Sequence, residues 1–375
     1  MTQWDERARE AAESVRRLFG RRLLGMPLTH LARVDHPVRR PIFGPWNYWW
    51  QAHYIDALVD EVLREQTQGD PARARSARRL AHRTLVSIGM RNAGRFTNSY
   101  YDDMAWLLLA AHRLETQGGS AGPLPRATRA HAGRALRSTI ERGETPDLGG
   151  GVFWNTAHDF KNLPATGPVA LFRARVGDLD RAQALVDWAY AHLHDPTTGM
   201  FRDGIEIQPD GGTRLTPHVF TYNQGTVLGT LTELASRGRP DSAHRAADLV
   251  DALRTHLTTQ TAGRLALRTH GDGDGGLFTG ILVRYLALAA RSPDLDSPTR
   301  ATAAQLVRDN AHLLWDGRQS LSLPKALSMP FGHVTVFSPD PARPASETQP
   351  PGIPLELSSQ LQAWTILEAA ASLPE

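Results

Sequence analysis

The sequence predicts an all-α fold, a ring of six helical hairpins that is known as an (α/α)6 toroid. Apolar residues recur with the helical period along most of the chain, and almost no segment alternates as a strand does. Helix pairs recur roughly every 50–60 residues, so six hairpins would fill residues 1–375 as a single domain. An α-solenoid also stacks helix pairs, but its repeats are self-similar, and no such repeat is visible here.

Twelve segments carry the helical period. In segment 100–117, the apolar positions Trp106, Leu109 and Leu114 mark a buried face, whereas segment 277–291 is apolar on most sides. The predicted helices are 4–19, 49–66, 71–90, 100–117, 125–143, 161–176, 179–194, 219–236, 240–258, 277–291, 297–314 and 356–372.

Turn-rich segments separate these helices, and the longest lies before the last helix. Residues from about 328 to 354 include seven prolines, which predicts a long irregular loop. Loops of this length in a compact domain are often functional.

Composition excludes several classes of function. The 375 residues include 42 lysines and arginines against 39 aspartates and glutamates, a net charge of +3, and the basic residues are scattered over helical faces. This is not typical of nucleic-acid binding, so no nucleic-acid partner is expected. The chain has no cysteine, which excludes disulfides, thiolate metal sites and cysteine nucleophiles.

The histidines lack metal-ligand spacing, and no phosphate-binding loop motif occurs, so we expect neither a metal nor a cofactor. The first residues carry charge throughout without the apolar run of a signal peptide. No stretch reaches the roughly 20 apolar residues that span a bilayer. The chain as given is therefore expected to be cytoplasmic, or secreted if a leader was removed.

Two adjacent carboxylates, Asp102 and Asp103, are the candidate catalytic residues. They fall in the first turn of a predicted helix that Asn98 or Ser99 could cap. The helix dipole favours acidic residues there, so an ordinary helix start is the alternative interpretation. Adjacent carboxyls can nevertheless diverge to the roughly 5–5.5 Å of a retaining glycosidase pair. Their mutual repulsion would keep one of them protonated, as a general acid requires.

Aromatic residues cluster unevenly along the chain. They are dense in WNYWWQAHYIDALVD, which contains Trp49, and occur again at Tyr101 and at Trp154. Core packing explains part of this clustering. The remainder suits a sugar-binding cleft, where pyranose faces pack on aromatic rings.

The segment NSYYDDMAWLLLAA resembles the Tyr-Asp-Asp-x-x-Trp motif of glycoside hydrolase family 76, the endo-α-1,6-mannanases. Five further segments resemble motifs of this family in the family's order: WNYWWQAHYIDALVD, GGGVFWNTAHDFKN, GMFRDGI, FTYNQGTVLGTLTEL and DGGLFTGILVRYLALAA. Together they extend over residues 46–291, most of the chain.

The resemblance implies an (α/α)6 barrel and retention through a covalent glycosyl-enzyme. It implies that Asp102 is the nucleophile and Asp103 the acid/base. The remaining candidate substrate-binding residues are the aromatic Trp49, Tyr101 and Trp154, and the matched positions Lys161, Asn162, Tyr222, Asn223, Gln224 and Asp274. From the residues alone, the preferred interpretation of Asn223 and Gln224 is that they cap a helix at 225–236.

Two positions depart from the family pattern. Thr166 stands where the family has a second asparagine, and Thr279 stands where it has a lysine. Both are expected near the cleft, so the preferred mannoside could differ from that of other members.

The leading hypothesis is a retaining α-1,6-mannanase, with transfer to a second sugar as a variant of the same mechanism. Its partner would be a mannose-containing oligo- or polysaccharide. A sugar epimerase or isomerase on the same toroid and a non-catalytic mannan-binding protein are the alternatives.

Overall fold

The computed structural model describes residues 2–38, 44, 46–119, 123–323 and 332–374. Twelve long helices and one short one make up most of this part of the chain. They are α1 (Gln3–Phe19), α2 (Tyr48–Thr67), α3 (Pro71–Arg91), α4 (Tyr101–Thr116), α5 (Pro123–Ile140), α6 (Leu163–Arg175), α7 (Leu179–His192), α8 (Thr221–Ala235), α9 (Pro240–His256), α10 (Gly275–Arg291), α11 (Ser297–Asp316), α12 (Ala345–Thr348) and α13 (Leu357–Ala371).

Six helices form a closed inner ring. In order around the ring they are α2, α4, α6, α8, α10 and α13; each contacts the next, and α13 contacts α2. Outer helices α3, α5, α7, α9 and α11 each pack on the inner helix that precedes them, and α1 packs on α13. The predicted (α/α)6 toroid is confirmed.

Burial separates the two sets of helices. Inner helix α13 buries every residue from Leu357 to Ala370, and α8 buries all of its residues except Glu233. Outer helix α1 instead buries one stripe, with Ala8, Ala12 and Val15 among its members, at the spacing of an amphipathic helix. Inner helices therefore have no solvent-facing side along their length, and their ends are where a ligand can reach them.

Side chains cap the first backbone amides of several helices, but no side chain caps α4. Thr2 and Asp5 form a capping box at α1, and the Asp70 carboxylate accepts from the first backbone amides of α3. At α4 the N-cap residue is Tyr100, without a side-chain cap. The expected cap by Asn98 or Ser99 is therefore wrong.

Short antiparallel strands connect the helices, more of them than the sequence suggested. The longest described strands have four residues. They are β1 (Gly20–Arg21), β2 (Leu31–Ala32), β3 (Asp35–His36), β4 (Phe160–Asn162), β5 (His194–Asp195), β6 (Met200–Phe201), β7 (Gly204–Ile207), β8 (Thr213–Thr216), β9 (Thr258–Thr261), β10 (Arg264–Leu267), β11 (Gln319–Ser322), β12 (His333–Val336) and β13 (Leu355–Glu356).

One sheet has three strands, in the order β4-β7-β8, and pairs Asn162 with Gly204. The segment expected to be irregular at 328–354 is partly ordered: β12 pairs with β11, and α12 follows. Its first residues, 328–331, lie outside the described residues.

A buried ion-pair network joins three inner helices. Arg113 on α4 bonds to both Asp56 and Asp60 on α2, with N–O distances of 2.7 and 2.6 Å. Arg284 on α10 bonds to the same two carboxylates at 3.2 and 2.6 Å. Two arginines thus balance two aspartates, and the cluster has no net charge.

No helix in the described part of the chain is long and apolar enough to cross a bilayer.

Candidate active site

A cavity of about 260 Å³ lies where the inner helices begin. Trp49 is in the first turn of α2, Asp102 in that of α4 and Tyr222 in that of α8, while Asn162 and Asp274 are the N-cap residues of α6 and α10. The complete lining is Trp49, Asp102, Trp106, Trp154, Phe160, Asn162, Pro164, Asp203, Tyr222, Asp274 and Phe278. The partial positive charge of helix N-termini favours the acidic side chains here.

Asp102 lies on the wall of this cavity and is held by two donors. The Asp103 backbone N–H donates to Asp102 Oδ1 (2.8 Å), and the Trp154 indole N–H donates to Asp102 Oδ2 (3.0 Å). Burial raises the pKa of Asp102 well above its usual value, the neighbouring charge of Asp103 raises it further, and the two donors oppose the shift.

Asp103 is half-buried and does not itself line the cavity. The Asn98 amide donates to Asp103 Oδ2 (2.6 Å), so Asn98 holds this carboxyl instead of capping the helix. Burial raises the pKa of Asp103 to about 6, and the negative charge of Asp274 adds to the shift. Since each of the two aspartates raises the cost of a second charge, the pair tends to retain one proton.

Asp274 joins two elements that are far apart in the sequence. Its Oδ1 accepts from the indole N–H groups of Trp49 (3.1 Å) and Trp50 (2.8 Å) on α2. Tyr222 lies nearby, stacked on Phe278 with 3.9 Å between ring centroids. Burial and the surrounding carboxylates raise the pKa of Tyr222 well above its usual value, so its phenol stays a neutral donor.

Asp203 is a cavity residue that the sequence analysis missed. Its Oδ1 accepts from Asn223 Nδ2 (2.9 Å), and burial raises its pKa. The signal was present in GMFRDGI, since Asp203 directly precedes the strand that pairs with Asn162. Trp106, Phe160, Pro164 and Phe278 complete the apolar part of the wall.

Lys161 does not reach the cavity, contrary to expectation. It is buried, and its ammonium donates to the carbonyls of Thr145 (2.9 Å), Asp147 (2.7 Å) and Gly150 (2.6 Å). Successive side chains of a strand point to opposite faces. Because its neighbours Phe160 and Asn162 on β4 face the cavity, Lys161 faces the loop on the other side.

Asn223, Gln224 and Tyr101 also lie outside the lining. Asn223 supports Asp203, as described, and Gln224 binds the backbone N–H and C=O of Phe201 at 2.9 and 2.8 Å. Both residues lie within α8 and do not cap it, so the capping alternative is wrong as well. The Tyr101 hydroxyl pairs with His158 Nε2 at 3.0 Å.

The two departures from the family pattern are buried structural residues. Thr166 Oγ1 accepts from the Val152 N–H (3.0 Å), and Thr279 Oγ1 donates to the Arg268 carbonyl (2.8 Å). Neither side chain lines the cavity. The structure therefore gives no reason to expect that they change substrate contacts.

The described residues offer no ligand set for a metal ion. No group of three or more histidine, aspartate or glutamate side chains that could hold a metal ion occurs among the described residues. The arrangement offers carboxyl groups, a neutral phenol and aromatic faces, which can transfer protons, attack an electrophilic carbon and pack against a sugar ring.

Solved structures resemble the whole chain. The GH76A α-1,6-mannanase from Salegentibacter sp. HEL1_6 superimposes with a TM-score of 0.78 at 27% identity, over 98% of this chain and 99% of that one. An inactive variant of that mannanase, with two aspartates changed to asparagine, is in complex with α-1,6-mannotriose; it gives a TM-score of 0.77 at 27% identity, over 98% and 99%. A family 76 glycoside hydrolase from a bovine Bacteroides thetaiotaomicron strain, at 15% identity and a TM-score of 0.74 over 99% and 78%, shares the fold.

Among curated proteins, no match was found. The family model for glycosyl hydrolase family 76 matches residues 3–327. Because this match extends over most of the sequence, the chain belongs to glycosyl hydrolase family 76.

Proposed function

We propose that this protein hydrolyses α-1,6-mannosidic bonds in mannan or manno-oligosaccharides with retention of anomeric configuration. The observation that carries the proposal is Asp102, which lies on the wall of an aromatic-lined cavity beside a second carboxyl with a raised pKa. The related Salegentibacter mannanase, bound to α-1,6-mannotriose, supports the choice of linkage.

Asp102 would act as the nucleophile. Burial and the charge of Asp103 raise the pKa of Asp102, so attack by Asp102 requires that the proton shared by the pair lies on Asp103. The N–H donors from Trp154 and the Asp103 backbone favour that distribution because they stabilise the carboxylate form of Asp102, and they fix the direction of both carboxyl oxygens. In the first step a carboxylate oxygen of Asp102 forms a bond to the anomeric carbon as the bond to the glycosidic oxygen breaks.

Asp103 would act first as the acid and then as the base. A pKa of about 6 leaves a useful fraction protonated near neutral pH, so Asp103 can give its proton to the departing oxygen. Once it is ionised, Asp103 takes a proton from water, whose oxygen attacks the anomeric carbon and releases Asp102.

The remaining wall would bind the sugar. Trp49, Trp154 and Phe278 offer apolar faces against which the C–H groups of a pyranose ring can pack. Asp203 and Asp274 offer acceptors for hydroxyl groups, and the neutral Tyr222 phenol can donate. A neutral polyol fits this combination of acceptors and aromatic faces.

The test is incubation with a defined α-1,6-mannooligosaccharide series, with products and their first-formed anomer followed by NMR. We expect shorter saccharides with the α-anomer formed first. Asp102→Asn should abolish turnover, whereas Asp251→Asn, which removes an exposed carboxylate on the outer helix α9 that does not line the cavity, should retain the wild-type rate.

Each other outcome contradicts a named part of the proposal. A β-anomer formed first would show inversion. Interconversion of free mannose without cleavage would indicate an epimerase or isomerase. Binding of the oligosaccharides without products would indicate a non-catalytic binding protein, and wild-type turnover by Asp102→Asn would remove Asp102 as the nucleophile.

A further inference from the structure

A basic and apolar surface lies apart from the cavity described above. We call it the leucine–arginine patch; it borders a shallow surface cavity of about 700 Å³. Its members lie in the segment from the end of α1 to just after β2 and at the end of α3. Arg21, Arg22, Leu24, Arg33 and Met90 line the cavity, and the exposed Leu28 belongs to the same segment.

The apolar residues of the patch are unusually exposed. Leu28 is 72% exposed, Leu24 58% and Met90 45%, and the two leucines are the most exposed large apolar residues of the described chain. Both leucines have positive φ, 61° and 48°, a conformation that is costly for a residue with a Cβ atom. Strain that holds apolar side chains in water suggests that they have a function outside the fold.

The cationic residues of the patch form no close ion pair with a described carboxylate. Among the described residues, no carboxylate lies within ion-pair distance of Arg21, Arg22 or Arg33, and Arg33 Nε is buried without a hydrogen-bond partner. Burial and the positive charges of Arg33 and Arg91 lower the pKa of Arg21, and the negative charge of Asp35 opposes this shift. The patch is therefore a local concentration of positive charge that an anionic partner would neutralise.

The patch lies at the end of the toroid that holds the cavity. Only three residues separate the end of α2 from the start of α3, so α3 runs back and finishes at the end where α2 begins. The His30 N–H donates to Ser87 Oγ (2.9 Å), which fixes the exposed loop beside the last turns of α3. Trp49 in the first turn of α2 lines the cavity, so the patch and the cavity lie at the same end of the toroid.

We propose that the leucine–arginine patch binds the surface of an anionic lipid bilayer. Leu24, Leu28 and Met90 would enter the boundary between head groups and acyl chains, and the unpaired arginines would contact lipid phosphates. In this orientation the cavity end of the toroid faces the bilayer, where it could meet a glycan that is attached to the membrane. That consequence rests on the proposed hydrolase activity; the binding itself does not.

Vesicle sedimentation with the full chain tests the proposal. We expect binding to phosphatidylglycerol–phosphatidylcholine vesicles that weakens as salt is raised, and little binding to phosphatidylcholine alone. Leu24→Asn with Leu28→Asn should abolish most binding, and asparagine tolerates positive φ, which protects the fold. Arg21→Gln with Arg22→Gln should weaken partitioning about fivefold per arginine.

Matched control pairs separate the patch from general surface effects. Leu215→Asn with Ile353→Asn removes two exposed apolar residues elsewhere, and Arg75→Gln with Arg79→Gln removes the same charge from an exposed face of α3. Both control pairs should bind the anionic vesicles as the wild type does. Thermal unfolding of every variant verifies that it is folded.

Three results would overturn the proposal: no binding of the wild type to anionic vesicles, equal binding to both vesicle compositions, or equal losses in the patch and control variants. Capture of an acidic protein without any vesicle binding would count against it as well. Because sedimentation needs no catalysis, failure of the hydrolase assay would leave this result unaffected.

Discussion

Replacement of Arg113 by methionine tests the buried ion-pair network. Methionine has a similar length and no charge, so the change removes the ion pairs to Asp56 and Asp60 with little loss of packing. The Arg113 side chain is only 9% exposed. Its loss leaves the buried Asp56 and the half-buried Asp60 with Arg284 alone, and the charge of the cluster changes from zero to minus one. Removal of one partner from a buried ion pair costs about 3–5 kcal/mol, and we expect the free energy of unfolding to fall by that amount at pH 7.

The loss should depend on pH in a defined direction. Burial by itself would raise the pKa of Asp56, but the charges of Arg113 and Arg284 outweigh it and hold that pKa below its usual range. In the wild type, the resulting stabilisation is present above the unfolded-state pKa of about 4 and is lost as the pH falls through the folded-state pKa. In the variant, burial dominates and the folded-state pKa rises above the unfolded value. The variant therefore regains stability relative to the wild type as the pH is lowered towards 4.

Urea unfolding at pH 7 and near pH 4.5 measures both effects. The matched control is Arg254→Met, which removes the pair with Asp251, where the side chains are 47% and 69% exposed. Exposed pairs of this kind contribute about 0–1 kcal/mol. The reasoning is refuted if Arg113→Met costs no more than Arg254→Met, or if its cost is the same at both pH values.

Three further predictions concern the site and its surroundings. Trp154→Phe removes the N–H donor to Asp102, so kcat/KM should fall about 10–100-fold. Because this donor lowers the pKa of Asp102, its loss should move the acid limb of the kcat/KM pH profile to higher pH. Unchanged kinetics would contradict the role of this hydrogen bond. Lys161→Met should lower the free energy of unfolding by about 3 kcal/mol but leave KM for mannooligosaccharide unchanged, since Lys161 binds loop carbonyls; a raised KM would place it at the substrate. Burial lowers the pKa of His30 to about 4 and that of His53 to about 3, so both side chains stay neutral in the folded state, whereas the unfolded chain takes up protons below about pH 6.5. The free energy of unfolding, measured with urea, should therefore fall from pH 6.5 towards pH 4. A flat pH profile would contradict this prediction.

The helical architecture could be predicted from the sequence because its signals are local. Each of the twelve predicted helices corresponds to an observed one, with ends that differ by a few residues. The short strands were missed since a pair such as β4 and β7 depends on contacts between distant segments, and two to four residues are too few to show alternation. The start of α4 was misplaced because the Asn98 amide binds Asp103, a contact that the residue type alone does not distinguish from a cap.

The direction of individual side chains was the main information that the sequence lacked. Tyr222 faces the cavity, but the next residues along α8 are each rotated by about 100° and point back into the protein. In β4, the side chains of Lys161 and Asn162 point to opposite faces because successive side chains of a strand alternate. A motif that is matched by position therefore includes both wall residues and the buried groups that support them. Asp203 was missed for the converse reason, since a lone aspartate before a glycine is typical of an ordinary turn.

The closure of the inner ring between α13 and α2 has a consequence for biosynthesis. The two indoles that hold Asp274 come from α2, early in the chain, and α13 packs on both α2 and α10. The Glu356 carboxylate, just before α13, accepts from the Gly273 N–H beside Asp274. A nascent chain that has not yet released residues 356–371 from the ribosome therefore lacks one side of the ring, and its cavity is unfinished. Synthesis of the last helix completes the ring, so we expect a chain truncated before residue 356 to leave uncovered the faces of α2 and α10 that pack on α13.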